Sequence, residues 1–257
     1  MVIPEEAFTD LDGKVVTITG GSRGLGKEMA LAFVRCGAHV VIASRKKENC
    51  EALAADITEN IGIEALAAEC HVGEWDQCDA LFNTVLQTFG KCDVLINNAG
   101  MSPLYGSLTD VSQELFDKVL NVNLRGPFRL SAKFGEQMVQ DGSGAIINIS
   151  SVAAAQPNPN EAPYGAAKAG LQSLTKSFSR AYAPQVRVNC IMPGPFLTDI
   201  SDAWSEETHK SLEALPLGRG GQPSEIVGAA LYFASNASSF TTGAVLKIDG
   251  GLIASPS

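Results

Sequence analysis

A tyrosine and a lysine four residues apart, Tyr164 and Lys168, stand in the segment "YGAAK" at the start of a helix-like stretch. Residues at positions i and i+4 are neighbours on one helix face. A free tyrosine has a pKa of about 10, and a nearby cation lowers that pKa because it favours the phenolate. Lys168 is therefore expected to make Tyr164 usable as an acid and a base at neutral pH. Ala166 and Ala167 leave room for a cofactor beside this helix.

Ser151 is placed to join this pair. It ends the run "INISS", thirteen residues before Tyr164. A serine hydroxyl can hold a substrate carbonyl or alkoxide oxygen while a tyrosine moves the proton. Each motif alone also has an ordinary structural explanation, because Tyr/Lys spacings are common by chance and strand-end serines serve as caps.

The elements that would position these residues are visible as short apolar runs separated by helical patterns. The runs cover 14–19, 39–44, 64–72, 93–98, 145–150, 186–191 and 244–249. Most are continuous, which is typical of parallel strands buried on both faces. Helical periodicity appears over 25–36 and 76–90. The alternation predicts an α/β fold with a doubly wound, mostly parallel sheet of about seven strands and helices on both faces. We expect a single domain over 1–257, with a substrate lid at about 196–216.

Composition narrows the function classes. The net charge is −9 and the pI about 4.9, which disfavours nucleic acid and anionic membranes as partners. Six cysteines are scattered without CxxC or Cys/His pairing, so no disulfide framework or metal site is expected. The sequence has no secretory signal pattern and no membrane-length apolar run. These features predict a cytoplasmic protein with free thiols.

A glycine-rich turn lies between the first predicted strand and helix. Gly20, Gly24 and Gly26 stand in "TITGGSRGLGKEMA". Glycine allows a tight turn and lets the backbone approach a pyrophosphate, which the helix N-terminus then stabilises. The spacing is TGxxxGxG. With this turn the chain resembles the short-chain dehydrogenase/reductase family, whose Rossmann-type fold and YxxxK motif it also matches.

The resemblance implies a catalytic set of Asn123, Ser151, Tyr164 and Lys168. Asn123, in "NVNLRGPF", matches the family's helix-breaking asparagine, which supports a water near the lysine. "NNAG" (97–100) matches a motif that steadies the sheet, with Asn98 near the adenosine ribose. "IMPGPFLTD" (191–199) matches the segment along the nicotinamide. The expected cofactor contacts are Gly20, Ser22, Arg23, Gly24, Leu25, Gly26, Ser44, Arg45, Lys46, His71, Val72, Asn98, Ala99, Gly100, Tyr164, Lys168, Pro193, Gly194, Phe196 and Thr198.

The end of the second predicted strand bears on the choice between NAD(H) and NADP(H). No carboxylate lies at 43–46, where one would bind the ribose 2′-hydroxyl of NAD; the residues from Ser44 onward are Ser, Arg and Lys. Arg45, with Arg23 in the glycine turn, can clamp a 2′-phosphate by charge-assisted hydrogen bonds. We therefore expect NADP(H) rather than NAD(H). The alternative is that the basic residues only start a solvated helix.

His71 departs from the family pattern. The family usually has Asp at the end of the third strand, against the adenine ring, whereas this chain has "ECHV". An imidazole can stack on adenine or hydrogen-bond to it, and the backbone of Val72 can also meet the ring. The other interpretation is a half-exposed histidine at a strand end.

These features predict an NADP(H)-dependent oxidoreductase that interconverts a ketone, or a 3-oxoacyl group, and a secondary alcohol. The alternative is a catalytically silent NADP(H)-binding regulatory or scaffold protein. Dienoyl-CoA reductases on this fold lack the tyrosine that is present here. The expected pocket walls, 101–107, 152–162 and the lid, leave the small-molecule substrate open. The family resemblance also implies a homotetramer built through helices at about 111–140 and 163–182 and through the C-terminal strand.

Overall fold

Seven strands pair into one sheet in the computed structural model, which describes residues 5–199, 201 and 204–253. The strands are β1 (Val15–Thr19), β2 (His39–Ser44), β3 (Ala65–Glu69), β4 (Val94–Asn97), β5 (Gly144–Ile149), β6 (Val186–Pro193) and β7 (Val245–Ile248). Their order across the sheet is β3-β2-β1-β4-β5-β6-β7, and all six pairings are parallel. The predicted doubly wound, parallel α/β fold is confirmed.

The strands form where the sequence is continuously apolar. Every residue of β1 and β4 is buried, as expected for strands covered on both faces. Each of the seven predicted runs overlaps a strand, but the third run, 64–72, continues three residues past the end of its strand. β3 ends at Glu69, because the chain turns away after Cys70 and Gly73. His71 and Val72 therefore lie in the loop beyond the strand rather than within it.

Eight α-helices are described along the chain. They are α1 (Gly24–Arg35), α2 (Lys47–Ile61), α3 (Trp75–Phe89), α4 (Gln113–Leu120), α5 (Gly126–Gln140), α6 (Ala162–Ala181), α7 (Glu206–Ser211) and α8 (Val227–Ala234). α1 and α3 match the predicted helices to within one residue at each end. Within the predicted lid, α7 begins just after Trp204, where the Ser205 side chain accepts a hydrogen bond from the Thr208 amide.

Helices cover both faces of the sheet and create two apolar cores. One core joins α1, α2 and α8 to one face, with Phe33 and Phe233 almost fully buried. The other joins α3, α5 and α6 to the opposite face, around Leu81, Phe134 and Phe178. The described residues thus form a single Rossmann-type domain. Within them, no helix combines the length and the apolar character that crossing a membrane requires.

The topology brings polar residues together at one edge of the sheet. β1 lies between β2 and β4, so the chain leaves β1 toward one side and β4 toward the other. Open α/β sheets bind ligands at such a switch point, outside the carboxyl ends of the strands. Gly20 follows β1 and Asn98 follows β4 at this edge. Ser151 follows β5 at the same edge.

We predict that Gly126→Ala lowers the free energy of unfolding by about 1–3 kcal/mol through overpacking. Gly126 begins α5 against the loop after β3, and a Cβ atom there would overlap the Val72 carbonyl oxygen, a backbone atom that cannot swing aside. Urea denaturation measures the change.

The matched control is Gly228→Ala in α8, where an added Cβ meets nothing within 4 Å. It is expected to be neutral or to stabilise by up to about 1 kcal/mol, because alanine is the better helix former. Equal effects of the two substitutions would contradict the close packing of α5 on Val72.

Candidate active site

The glycine-rich turn links β1 to α1 with exposed backbone. Gly20 and Gly24 have φ angles of 63° and 52°, which favour glycine. A Cβ atom on Gly26 would overlap the Gly20 carbonyl, so the turn folds back tightly on the helix. Three glycines at the predicted spacing therefore shape a bare cradle at the N-terminus of α1, which suits a pyrophosphate.

Asn98 holds this turn in place. Its side-chain amide donates to the carbonyl oxygens of Thr19 at 2.9 Å and Gly20 at 3.0 Å. The Thr19 hydroxyl in turn accepts from the backbone N–H groups of Asn98 and Ala99, both at 3.1 Å. Asn98, which was predicted to lie near the ribose, thus uses both N–H groups of its side-chain amide to hold the turn. A contact between Asn98 and a ribose would therefore have to use other atoms of the residue.

The end of β2 carries the residues predicted to select the cofactor. Arg45 and Lys46 are exposed, and Ser44 accepts a hydrogen bond from the Ser22 hydroxyl at 3.3 Å and donates to the Lys46 carbonyl at 3.1 Å. This network ties the glycine turn to the start of α2. It leaves the two basic side chains beside a pair of hydroxyls, a donor set that fits a phosphate.

Arg23 has a partner that the sequence did not suggest. Its guanidinium forms an ion pair with Asp199 at 2.6 Å, in the loop after β6. Both side chains are largely exposed. The pair joins the glycine turn to the segment containing Thr198. In this structure Arg23 therefore pairs with Asp199, whereas the predicted clamp on a 2′-phosphate would use Arg23 together with Arg45.

Two hydrogen bonds, one to Gly73 and one to Gln77, hold His71 on the α3 side of the cleft. Its Nδ1 atom accepts a hydrogen bond from the Gly73 amide at 3.1 Å, and its own amide donates to the Gln77 side chain at 2.7 Å. Acceptance at Nδ1 places the proton of the neutral ring on Nε2. The imidazole at this position is thus a donor, whereas the aspartate usual in the family is an acceptor.

Ser151, Tyr164 and Lys168 come together where β5 meets α6. The Ser151 hydroxyl lies close enough to Tyr164 to influence the pKa of the phenol, and the Lys168 ammonium lies 5.7 Å from the centre of the tyrosine ring. Lys168 is 3% exposed, and its Nζ donates to the Ile149 carbonyl at 2.8 Å. Since Lys168 has three N–H donors, hydrogen-bonding capacity remains for a ligand. The predicted (i, i+4) neighbourhood is confirmed.

The charges of this cluster differ from the sequence expectation. Burial raises the pKa of Tyr164 to about 12, although the nearby Ser151 hydroxyl opposes the rise. Burial also lowers the pKa of Lys168 to about 8, because the ammonium is cut off from water. Burial, rather than the charge of Lys168, sets the direction of the pKa shift of Tyr164 in this structure. The phenol is therefore protonated at neutral pH and ready to donate.

Asn123 interrupts the helix between α4 and α5. Residues Asn121–Arg125 form a π-helical turn, and the side chain of Asn123 is fully buried. Its amide donates to the carbonyls of Met101 at 2.8 Å and Val119 at 2.9 Å, while its oxygen accepts from the Met101 amide. Every hydrogen-bonding atom of this side chain is thus used to hold the segment after β4.

The loop after β6 closes the other side of the cleft. The Gly194 amide pairs with Ile248, and a side chain at Gly194 would collide with Asp249, so this backbone passes close to β7. Phe196 is buried and pairs with Gly221. Thr198 lies over Gly24, where an added Cβ would be 3.5 Å from its methyl group. The segment predicted to follow the nicotinamide therefore faces the glycine turn.

Of the predicted lid, residues 200, 202 and 203 lie outside the described residues. Leu212 and Leu215 are buried, so they pack against the body of the protein rather than form a free apolar wall. Trp204 packs near His209 with ring centres 5.9 Å apart. Mobility of this segment stays a prediction.

Gly100 shows how the cleft accommodates a ligand. An added Cβ there would lie 3.5 Å from the Lys168 ammonium and 3.0 Å from the Asn123 side-chain oxygen. Bare backbone at this point keeps open the space between the turn after β4 and the lysine. Together with the glycine cradle, this open space suits an extended dinucleotide.

Among the described residues, no group of three His, Cys, Asp or Glu side chains is arranged to hold a metal.

The fold and this cluster define an oxidoreductase of the Rossmann type. A family model described as enoyl-(acyl carrier protein) reductase matches residues 20–253. "Dehydrogenase/reductase SDR family member 4" of Pongo abelii is 34% identical over 94% of this chain and 88% of its own. The chain belongs to the short-chain dehydrogenase/reductase family.

Two further relatives support this assignment. The 3-oxoacyl-(acyl-carrier-protein) reductase FabG of Thermotoga maritima is 36% identical over 95% of this chain and 99% of its own. The crystal structure of an NADPH-dependent 3-quinuclidinone reductase from Rhodotorula rubra superposes with a TM-score of 0.91 and 30% identity, covering 99% of this chain and 97% of that one.

Proposed function

We propose that the protein is an NADP(H)-dependent oxidoreductase that interconverts a ketone, or a 3-oxoacyl group, and a secondary alcohol. The observation that carries this proposal is the meeting of Ser151, Tyr164 and the buried Lys168 beside the bare backbone of Gly100. A scaffold or sensor would not need a buried lysine next to a partly buried phenol, because an ammonium is costly to remove from water and such groups cluster at functional sites.

The proposed reduction consumes a ketone, NADPH and a proton and yields a secondary alcohol and NADP⁺. When bound, NADPH supplies the hydride to the carbonyl carbon. Tyr164 donates its proton to the carbonyl oxygen, and the Ser151 hydroxyl holds that oxygen by a hydrogen bond. Lys168 offers its remaining N–H donors to ribose hydroxyls and stabilises the phenolate that forms on Tyr164. Oxidation follows the same path in reverse.

In this proposal Asn123 positions rather than reacts. Its side chain fixes Met101 and the π-helical turn, and so sets the distance between the segment after β4 and Lys168. A water near the lysine would then be held by the backbone of this turn. The assignment rests on the family resemblance together with the interruption of the helix at Asn121–Arg125.

The preference for NADP(H) is supported by the charge of the β2–α2 junction. Arg45 and Lys46 are exposed and not described in an ion pair, and no carboxylate follows β2 before Glu48. The relative from Rhodotorula rubra is NADPH-dependent. A 2′-phosphate would satisfy these charges, whereas a ribose diol would leave them solvated.

Two apolar surface patches support the proposed homotetramer. Trp75 and Phe128, in α3 and α5, are 38% and 39% exposed and lie with ring centres 6.4 Å apart. Near the other end of the sheet, Phe240 is fully exposed and Leu246 lies on the edge strand β7. Two separate self-complementary patches generate a tetramer with two kinds of two-fold contact.

The cytoplasmic location stays a prediction.

We predict that Tyr164→Phe reduces kcat at least a thousandfold, because the proton donor is removed while the ring is kept. NADPH oxidation with a panel of ketones measures turnover, and fluorescence titration of NADPH measures binding. Cofactor affinity is expected to change less than about threefold. Near-normal turnover in this variant would contradict the assignment, and NADPH binding without turnover in the unaltered protein would favour the silent binding protein.

Arg45→Ala is expected to lower kcat/KM for NADPH about ten- to a hundredfold and to leave the value for NADH almost unchanged. The reason is the loss of a charge-assisted hydrogen bond to the 2′-phosphate. The control is Lys47→Ala, which removes a nearby surface charge that is paired with Glu51. A preference for NADH in the unaltered protein would refute the proposed cofactor.

Phe128→Glu is expected to produce particles smaller than a tetramer, because a charge enters one proposed interface. Light scattering should give four times the chain mass of 27.0 kDa for the unaltered protein. Ile61→Glu, an equally exposed apolar position at the end of α2, should remain tetrameric. A monomeric unaltered protein would overturn this part of the proposal.

A further inference from the structure

We propose that Glu161 is a specificity-determining residue that selects carbonyl substrates carrying a positively charged ammonium group. This inference rests on the proposed reductase function and adds the chemical class of the substrate. It depends on the position of the Glu161 carboxylate, on the absence of a cationic partner among the described residues, and on the absence of other charge in the two adjoining wall segments, 101–107 and 152–162.

The first observation is the position of Glu161 at the rim of the cleft. The residue ends the short 3₁₀ turn Pro159–Glu161 and directly precedes α6, three residues before Tyr164. Its carboxylate accepts a hydrogen bond from the Ser102 hydroxyl at 3.1 Å. Ser102 belongs to the segment after β4, so Glu161 stands where the two pocket walls meet.

Tyr105 keeps these walls together beside the carboxylate. Its hydroxyl donates to the Pro159 carbonyl at 2.8 Å and accepts from the Ala162 amide at 2.7 Å. Both bonds hold the backbone on either side of Glu161. The carboxylate is therefore carried by an anchored turn rather than by a free loop, which is what a selective contact requires.

The second observation is that this carboxylate has no cationic partner among the residues that the structure describes. Glu161 precedes α6 but makes no side-chain capping hydrogen bond to it. Among the described residues, no lysine, arginine or histidine nitrogen lies within 4.0 Å of its oxygens; those ion pairs that are described involve other acids. The residue is partly buried. A partly buried charge is stabilised by an opposite charge, and the structure leaves that position to a ligand.

The third observation concerns the walls themselves. In segments 101–107 and 152–162 the sequence has no charged residue other than Glu161. Its field reaches the reacting group: burial is the main cause of the raised pKa of Tyr164, and the negative charge of Glu161 raises it further. A cationic substrate is attracted to this site, whereas an anionic one is repelled by an uncompensated carboxylate near the proton donor.

The test compares two ketones of the same shape. 1,1-Dimethyl-4-oxopiperidinium and 4,4-dimethylcyclohexanone differ only in a quaternary nitrogen in place of a quaternary carbon, and the charge does not depend on pH. With NADPH, we expect the ratio of kcat/KM for the cation to that for the neutral ketone to exceed ten. Glu161→Gln should lower this ratio at least tenfold, chiefly through KM for the cation. Glu161→Asp should restore part of it.

The control variant is Glu64→Gln, which removes the same charge from an exposed position before β3, at the amino ends of the strands. Its ratio should equal that of the unaltered protein. An unchanged ratio in Glu161→Gln, including an equal loss on both ketones, would overturn the inference and leave the proposed function standing. Absence of any Tyr164-dependent NADPH oxidation across a broad carbonyl panel would instead refute the proposed function, and this inference with it.

If other ketones are reduced but neither member of this pair is, tetramethylammonium chloride serves as the probe. It should inhibit reduction of a neutral ketone by the unaltered protein more strongly than sodium chloride at the same ionic strength. Glu161→Gln should remove that difference. Equal inhibition by the two salts in the unaltered protein would also overturn the inference.

Discussion

Parallel pairing of the strands is the constraint on which the site depends. When all strands point the same way, every loop that follows a strand emerges at one edge, so residues far apart in sequence must meet there. Thr19 and Asn98 make this geometry rigid at the switch point. Four hydrogen bonds join Thr19 and Gly20 to Asn98 and Ala99. They tie the end of β1 to the end of β4 and hold the glycine cradle open. A site built on rigid strand ends needs little adjustment when a ligand enters.

Burial changes the pKa values of Tyr164 and Lys168 more strongly than the interactions of these residues with neighbouring groups do. Lys168 is buried and Tyr164 is partly buried, and this burial moves the pKa of Tyr164 up and that of Lys168 down. Both shifts favour the neutral forms. A protonated phenol suits donation to a carbonyl oxygen. With a pKa of about 8, Lys168 is still mostly an ammonium at neutral pH, so its charge would stabilise the phenolate left on Tyr164.

The sequence predicted the sheet, the helices and the proximity of Tyr164 and Lys168, because continuous apolar runs and an (i, i+4) spacing are local signals. The thirteen-residue spacing from Ser151 to Tyr164 also predicted that Ser151 would lie near this pair, as it does; the catalytic roles of the three residues stay predictions. It did not suggest the Arg23–Asp199 ion pair, which joins residues 176 positions apart. The side-chain role of Asn98 and the raised pKa of Tyr164 were also missed, since both depend on three-dimensional packing. Glu161 belonged to no motif, and it stood out only because no cationic partner faces its carboxylate in the described part of the chain.

The residues that would contact the substrate are separable from those that hold the protein together. Residues of 102–107 and 152–162 contribute none of the side chains in the two described apolar cores, whereas the strands before them contribute many. Binding sites of this kind are commonly borne by loops on a rigid scaffold. Many substitutions in these walls would leave the two apolar cores intact and would not replace Ser151, Tyr164 or Lys168. In evolutionary terms, the choice of substrate can drift and be re-selected while the reaction itself is inherited unchanged.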